Sequence, residues 1–66
     1  MSPRQLGSTI RKLRERAGLT QDELATKAGI SQPYLSQLEA GSVKRPAVQV
    51  VHRLAKALGV TIEDLL

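Results

Sequence analysis

The 66-residue chain contains no cysteine, which excludes disulfide staples and thiolate metal sites. Its one histidine, His52, cannot build a metal site alone, and no Ser-His-Asp or Cys-His set exists in a workable spacing. No glycine-rich phosphate cradle is present either. The inventory therefore argues against an enzyme, a metal site or a bound cofactor. Tryptophan and phenylalanine are also missing and tyrosine occurs once, so bases of a single strand have no aromatic platform to stack on. No run approaches the roughly eighteen apolar residues that cross a membrane, and the N-terminus lacks the apolar centre of a signal peptide. These absences predict a soluble cytoplasmic protein without a membrane partner. No internal repeat or low-complexity stretch interrupts it.

What remains is small and basic. Ten Lys and Arg against six Asp and Glu leave a formal charge of +4 and a pI near 10.1, which favours an anionic partner. Residues 1–66 make one domain, close to the size at which helix packing must be economical.

Local signals divide the chain into helices. Met1-Ser2-Pro3 reads as a short arm. Leu6, Ile10, Leu13 and Ala17 then form an apolar stripe ended by Gly18, with Arg11, Lys12, Arg14, Glu15 and Arg16 on the other faces. That basic cluster suits either a solvated flank near a helix C-terminus or phosphate contact. At Thr20-Gln21-Asp22-Glu23 the Thr hydroxyl can accept from the Glu23 N–H while the Glu carboxylate reaches back, a capping box. Leu24, Ala25 and Ala28 supply the inner face and Gly29 the stop. After Ile30, Ser31 can cap a third helix with Pro33 in its first turn, Leu35 and Leu38 inside, and Gly41 at its end. Residues 41–46 form a loop, with Pro46 placed to open a fourth helix. The expected inner stripe of that helix is Val48, Val51, Ala55 and Leu58, with Leu54 beside them, Val50 outward and Gly59 as the stop. Thr61 and Asp64 repeat the capping logic ahead of Leu65 and Leu66, which face inward or toward a partner. An ending on two leucines suggests a trimmed domain or an apolar edge covered by a second copy.

The third helix carries the functional signal. Its outward positions, Gln32, Pro33, Ser36, Gln37 and Ala40, include no charge and are mostly small, where a solvated helix usually carries Lys and Glu. Amides and hydroxyls suit base edges, and a carboxylate there would repel phosphate. Lys44 and Arg45 follow directly, where cations would grip the backbone beside a groove. Between Glu23 and Glu63 the one carboxylate is Glu39, which calls for an arginine partner from the first helix.

Taken in order, LTQDELATKAGIS, YLSQLEAG, RP and LAKALGVTIEDLL resemble the Xre-type helix-turn-helix family of lambdoid phage repressors and Cro proteins, over nearly the whole chain. The resemblance implies an all-α, compact five-helix lambda-repressor-like domain whose helices 2 and 3 form the helix-turn-helix. It implies base reading by Ser31, Gln32, Pro33, Ser36 and Gln37 from a recognition helix of about Ser31–Ala40. Phosphate contact falls to Thr20, Gln21, Tyr34, Lys44 and Arg45, with Gln21 also bracing Gln32, and Arg14 with Glu39 matches a buried ion pair. Pro33 and Ala40 depart from the family's more polar usage, and His52 stands where an aliphatic residue is common. The expected function is sequence-specific binding of double-stranded DNA by a repressor-like transcriptional regulator, acting as a homodimer on a pseudo-palindromic operator through Leu65 and Leu66. A protein-interaction module of the same fold, an antitoxin or coactivator-like adaptor, is the alternative.

Overall fold

A computed structural model describes residues 2–66, and the arm residue Met1 lies outside them. The described residues form five helices, α1 (Pro3–Arg16), α2 (Gln21–Ala28), α3 (Gln32–Glu39), α4 (Val48–Leu58) and α5 (Ile62–Leu65), with no strand among them. Four of the five starts are written locally. The hydroxyls of Ser2, Thr20, Ser31 and Thr61 each accept the backbone N–H three residues on, and Gln5, Glu23 and Asp64 return the bond in three of them. Each cap satisfies a donor that a helix start leaves orphaned, worth about 1 kcal/mol. The fourth helix has no side-chain cap and starts from the backbone of Ala47. Gly29 ends α2 at φ 71°, a conformation costly for any residue with a Cβ, and so turns the chain sharply into α3.

Each helix contributes one fully buried branched aliphatic to a single core: Ile10, Leu24, Leu35, Leu54 and Leu65. Burying each is worth about 1.5–3 kcal/mol relative to exposure. Helix α2 packs against both α3 and α4, α1 crosses α3, and α5 closes over α4 and α1. The α1–α3 crossing is possible because residue 7 is glycine. A Cβ there would stand 2.3 Å from the Leu38 carbonyl oxygen and 2.8 Å from that of Glu39.

The structure corrects several expectations. Ser2 and Pro3 are no arm: Ser2 caps α1 and Pro3 is its first residue, in the Ser-x-x-Gln pattern that marks a capping box. Ala17 is the exposed C-cap of α1, so the inner stripe stops at Leu13. Pro46 lies outside α4, immediately before its N-cap. Val48 is 77% exposed rather than internal, because the first turn of α4 projects past the helices that cover the rest of it. Val50, expected to point outward, is half-buried and packs against the core, while Leu54 is fully buried beside the stripe as expected. Leu65 is wholly buried and unavailable to a partner, leaving Leu66, 62% exposed, as the only terminal leucine at the surface.

Candidate nucleic-acid interface

Helices α2 and α3 are joined by Gly29-Ile30-Ser31, and the outward side of α3 is left uncovered. On it Ser31, Pro33, Gln37 and Ala40 are exposed, while Gln32 and Ser36 are half-buried at its margins. Pro33 sits in the first turn, where its missing N–H removes no helical bond. Tyr34 is half-buried and partly packed on the core. Lys44 and Arg45 are exposed in the loop that follows. Thr20 is committed to its cap on both sides, with its hydroxyl accepting from Glu23 N and its N–H donating to Glu23 Oε1 at 2.8 Å.

Beneath this face runs a chain of polar contacts linking three helices. Arg14 of α1 donates through Nε to Glu39 Oε2 at 2.8 Å, through Nη2 to Oε1 at 3.1 Å, and through Nη1 to the Leu19 carbonyl at 2.9 Å. Glu39 Oε1 also accepts from Gln21 Nε2 at 3.0 Å, and Gln21 Oε1 accepts from Gln32 Nε2 at 2.8 Å. The bridge is shielded, with side-chain exposures of 13% for Arg14 and 4% for Glu39. The hydrogen bond to Glu39 raises the Arg14 pKa against the opposing pull of burial, and the charge of Glu39 adds to the rise. No buried side-chain donor or acceptor among the described residues lacks a partner. Such a fully satisfied network rigidifies what it touches, here the root of α3 and the side chain of Gln32.

The structure thus brings Arg14, Gln21, Gln32 and Glu39 together in one network. It keeps Ser31, Pro33, Ser36 and Gln37 on the adjoining open face, and sets Lys44 and Arg45 apart in the loop. Arg11, one of the basic cluster on α1 that suits either a solvated flank or phosphate contact, joins them: it borders a depression between α1 and α3 shared with Gln21, Ser36 and Ala40. Its exposed guanidinium is 3.6 Å from Glu15, too loose to hold it. The signal was its place one turn before Arg14 on the same side of α1.

A family model described as a helix-turn-helix domain matches residues 5–66. The chain is 45% identical over 60 residues to an uncharacterized HTH-type transcriptional regulator, y4dJ, of Sinorhizobium fredii, covering 91% of this chain and 77% of that one. It belongs to the Xre-type, lambda-repressor-like helix-turn-helix family. Solved structures of this family superpose closely. The restriction-modification controller protein C.AhdI of Aeromonas hydrophila matches with a TM-score of 0.92 at 28% identity, covering 97% of this chain and 96% of that one. The biofilm master regulator SinR, solved in complex with DNA, matches with a TM-score of 0.87 at 32% identity, covering 91% of this chain and 95% of that one. The chain spans less than half the length of several other curated relatives. Within the helix-turn-helix family, α2 and α3 are the motif itself.

Proposed function

We propose that this chain binds a specific sequence of double-stranded DNA and regulates transcription, inserting α3 into the major groove and performing no catalysis. The observation that carries this reading is the face of α3 itself: amide, hydroxyl and small apolar groups without a carboxylate, open to solvent, with Arg11 beside Ser36 and Ala40 and with Lys44 and Arg45 in the loop that follows the helix. Ser31, Gln32, Pro33, Ser36 and Gln37 meet base edges. Thr20, Gln21, Tyr34, Lys44 and Arg45 set the register on the phosphates. The likeness to SinR, solved in complex with DNA, supports DNA as the partner. A regulator of this kind works on the cytoplasmic nucleoid, and among the described residues no helix is long and apolar enough to cross a membrane.

A module of this size buries only about 600–1,000 Å² on DNA, so useful affinity calls for two copies on adjoining half-sites. The surface that suits a second copy is an open apolar groove where α1, α4 and α5 meet. Both strongly exposed large aliphatics of the described chain, Val48 and Leu66, line it, together with Pro3, Leu6, Pro46 and Ile62 and with Lys44 and Ser2 as its polar members. Paired across a two-fold axis, these grooves cover each other's apolar walls.

Selection from a random duplex library at moderate and raised salt tests the proposal. Recovery of two half-sites about one helical turn apart is the expected result. Salt-sensitive binding without an enriched sequence would reduce the chain to a basic surface and favour the protein-interaction alternative.

A further inference from the structure

Away from α3, three cations surround one depression. Lys27, in the last turn of α2, and Arg53 and Lys56 of α4 line it, all exposed, with Thr26, Gly29 and Ala57 between them. Arg53 leans over the turn that ends α2. Its Nη1 is 4.0 Å from where a Cβ of residue 29 would stand, a space that glycine leaves open. The ion pairs among the described residues are Arg11–Glu15 and Arg14–Glu39, so none of the three cations belongs to one. The carboxylate one turn before Lys27, Glu23, is bonded to the Thr20 N–H at 2.8 Å. Helix α4 has no acidic residue, and Gln49, His52, Arg53 and Lys56 recur at i, i+3, i+4 and i+7 along one exposed face. A cation in a last turn complements the helix dipole, which accounts for Lys27 and Lys56 singly. It does not account for three like charges around one depression without a counter-ion, an arrangement that costs stability until an anion joins it.

This depression is separate from the groove-reading surface. No residue of α3, or of the loop that holds Lys44 and Arg45, lines it, and α4 packs on α2, α5 and α1. Its walls also discriminate among anions. A phosphate backbone needs cations alone, whereas the Thr26 and Ala57 methyl groups between the charges give an aliphatic side chain a place to be buried. A second copy of the chain is a poor occupant. Its Glu15 and Glu39 are paired with arginines and its Glu23 and Asp64 are bonded within caps, which leaves Asp22 and Glu63 to reach across. We propose that the depression docks an acidic segment of a partner protein, with carboxylates on Lys27, Arg53 and Lys56 and an aliphatic side chain against Thr26 and Ala57. Arg53 supplies the fork that can hold one carboxylate by two bonds, and the lysines, as point charges, hold its neighbours. The partner is carried on a face that leaves α3 free, and the inference stands whether or not α3 reads DNA.

The test is a nuclear magnetic resonance titration of the isotope-labelled chain with a peptide of four Glu-Asp-Leu repeats. It is run at about 150 mM salt, where exposed charges are screened beyond about 8 Å. The amides of Thr26, Lys27, Gly29, Arg53 and Lys56 shift together and saturate below about 1 mM peptide. The double variant Arg53→Gln, Lys56→Gln weakens the peptide about tenfold, and a peptide with serine in place of each leucine binds at least about threefold more weakly. Thermal melts establish that the double variant folds. If it does not, Lys27→Gln on the other helix decides, with a loss of about threefold. Shifts confined to α3 and the Lys44–Arg45 loop overturn the inference, as does a failure to saturate or an unchanged affinity in a folded variant. Equal binding of the serine peptide overturns it by leaving only a polyanion surface. A duplex of scrambled sequence that displaces the peptide from these amides overturns it in favour of nucleic acid. Failure to select a DNA site bears on α3 and leaves each of these outcomes as it stands.

Discussion

Replacing Gly7 with alanine tests the packing on which the interface depends. Gly7 is buried in α1, and a Cβ at this position would lie 2.3 Å from Leu38 O, 2.8 Å from Glu39 O and 3.0 Å from Glu39 C. All three are backbone atoms of α3, so no side-chain rotation relieves the overlap. Ordinary contact requires α1 and α3 to separate by roughly an ångström, which loosens Leu6 and Ile10 against Leu35 and Leu38. Overpacking of this kind costs about 1–3 kcal/mol, and an overlap with backbone belongs at the upper end. Alanine's better helix propensity returns about 1 kcal/mol. The net is a loss of about 2 kcal/mol, or a fall in Tm of roughly 8–16 °C for a domain of this size. The same ångström would stretch the 2.8 Å Arg14–Glu39 contact beyond hydrogen-bonding range, so sequence discrimination falls along with stability. Urea and thermal unfolding followed by circular dichroism provide the measurement, with Ser8→Ala on the exposed side of the same helix as the control for propensity. A Gly7→Ala chain as stable as the wild type, or more so, would refute the close approach.

The division between base and backbone contacts predicts different outcomes for two substitutions. Gln37→Ala lowers discrimination at one base pair by about 1–3 kcal/mol and spares non-specific affinity, while Lys44→Ala weakens all sequences and flattens the salt slope by about one unit. Titrations of specific and scrambled duplexes across a salt series separate the two, and equal effects would defeat the assignment. Leu66→Asp places a charge in the apolar groove, so cooperative binding to a two-half-site duplex is lost while single half-site affinity is kept; unchanged cooperativity rules the groove out as the dimer surface. Glu23 has its pKa lowered, first by the Thr20 backbone N–H and then by the Thr20 hydroxyl. Its folded pKa lies below its unfolded one, so its contribution is complete above the ordinary glutamate value and is lost as pH falls through the folded value. Glu23→Gln, which keeps an acceptor for the cap without titrating, therefore flattens the acid limb of stability against pH, and a limb of wild-type steepness would contradict the capping account.

Helix starts at Thr20, Ser31 and Thr61 and the stop at Gly29 were legible in the sequence because each depends on side-chain and backbone groups within a few residues of each other. The uncharged outer face of α3 was legible for a related reason: a helix has a fixed period, so two inward leucines, Leu35 and Leu38, determine which residues point out. Periodicity does not say where a neighbouring helix ends, and that is why Val48 belongs to the stripe by spacing yet stands exposed, while Leu65, one residue from the terminus, is sealed in the core. Nor does it reveal that α1 and α3 meet backbone to backbone at Gly7. The sequence alone determined the elements, the family and the side chains offered to a ligand. The pairing of Arg14 with Glu39 and the bracing of Gln32 by Gln21 were already expected, but only the tertiary structure decided which amide atom faces which, because the orientation of the Gln32 amide depends on Glu39 at the far end of α3 and on Arg14 in another helix. Hydrogen-bond direction is passed between groups distant in sequence and exists only once the helices have packed.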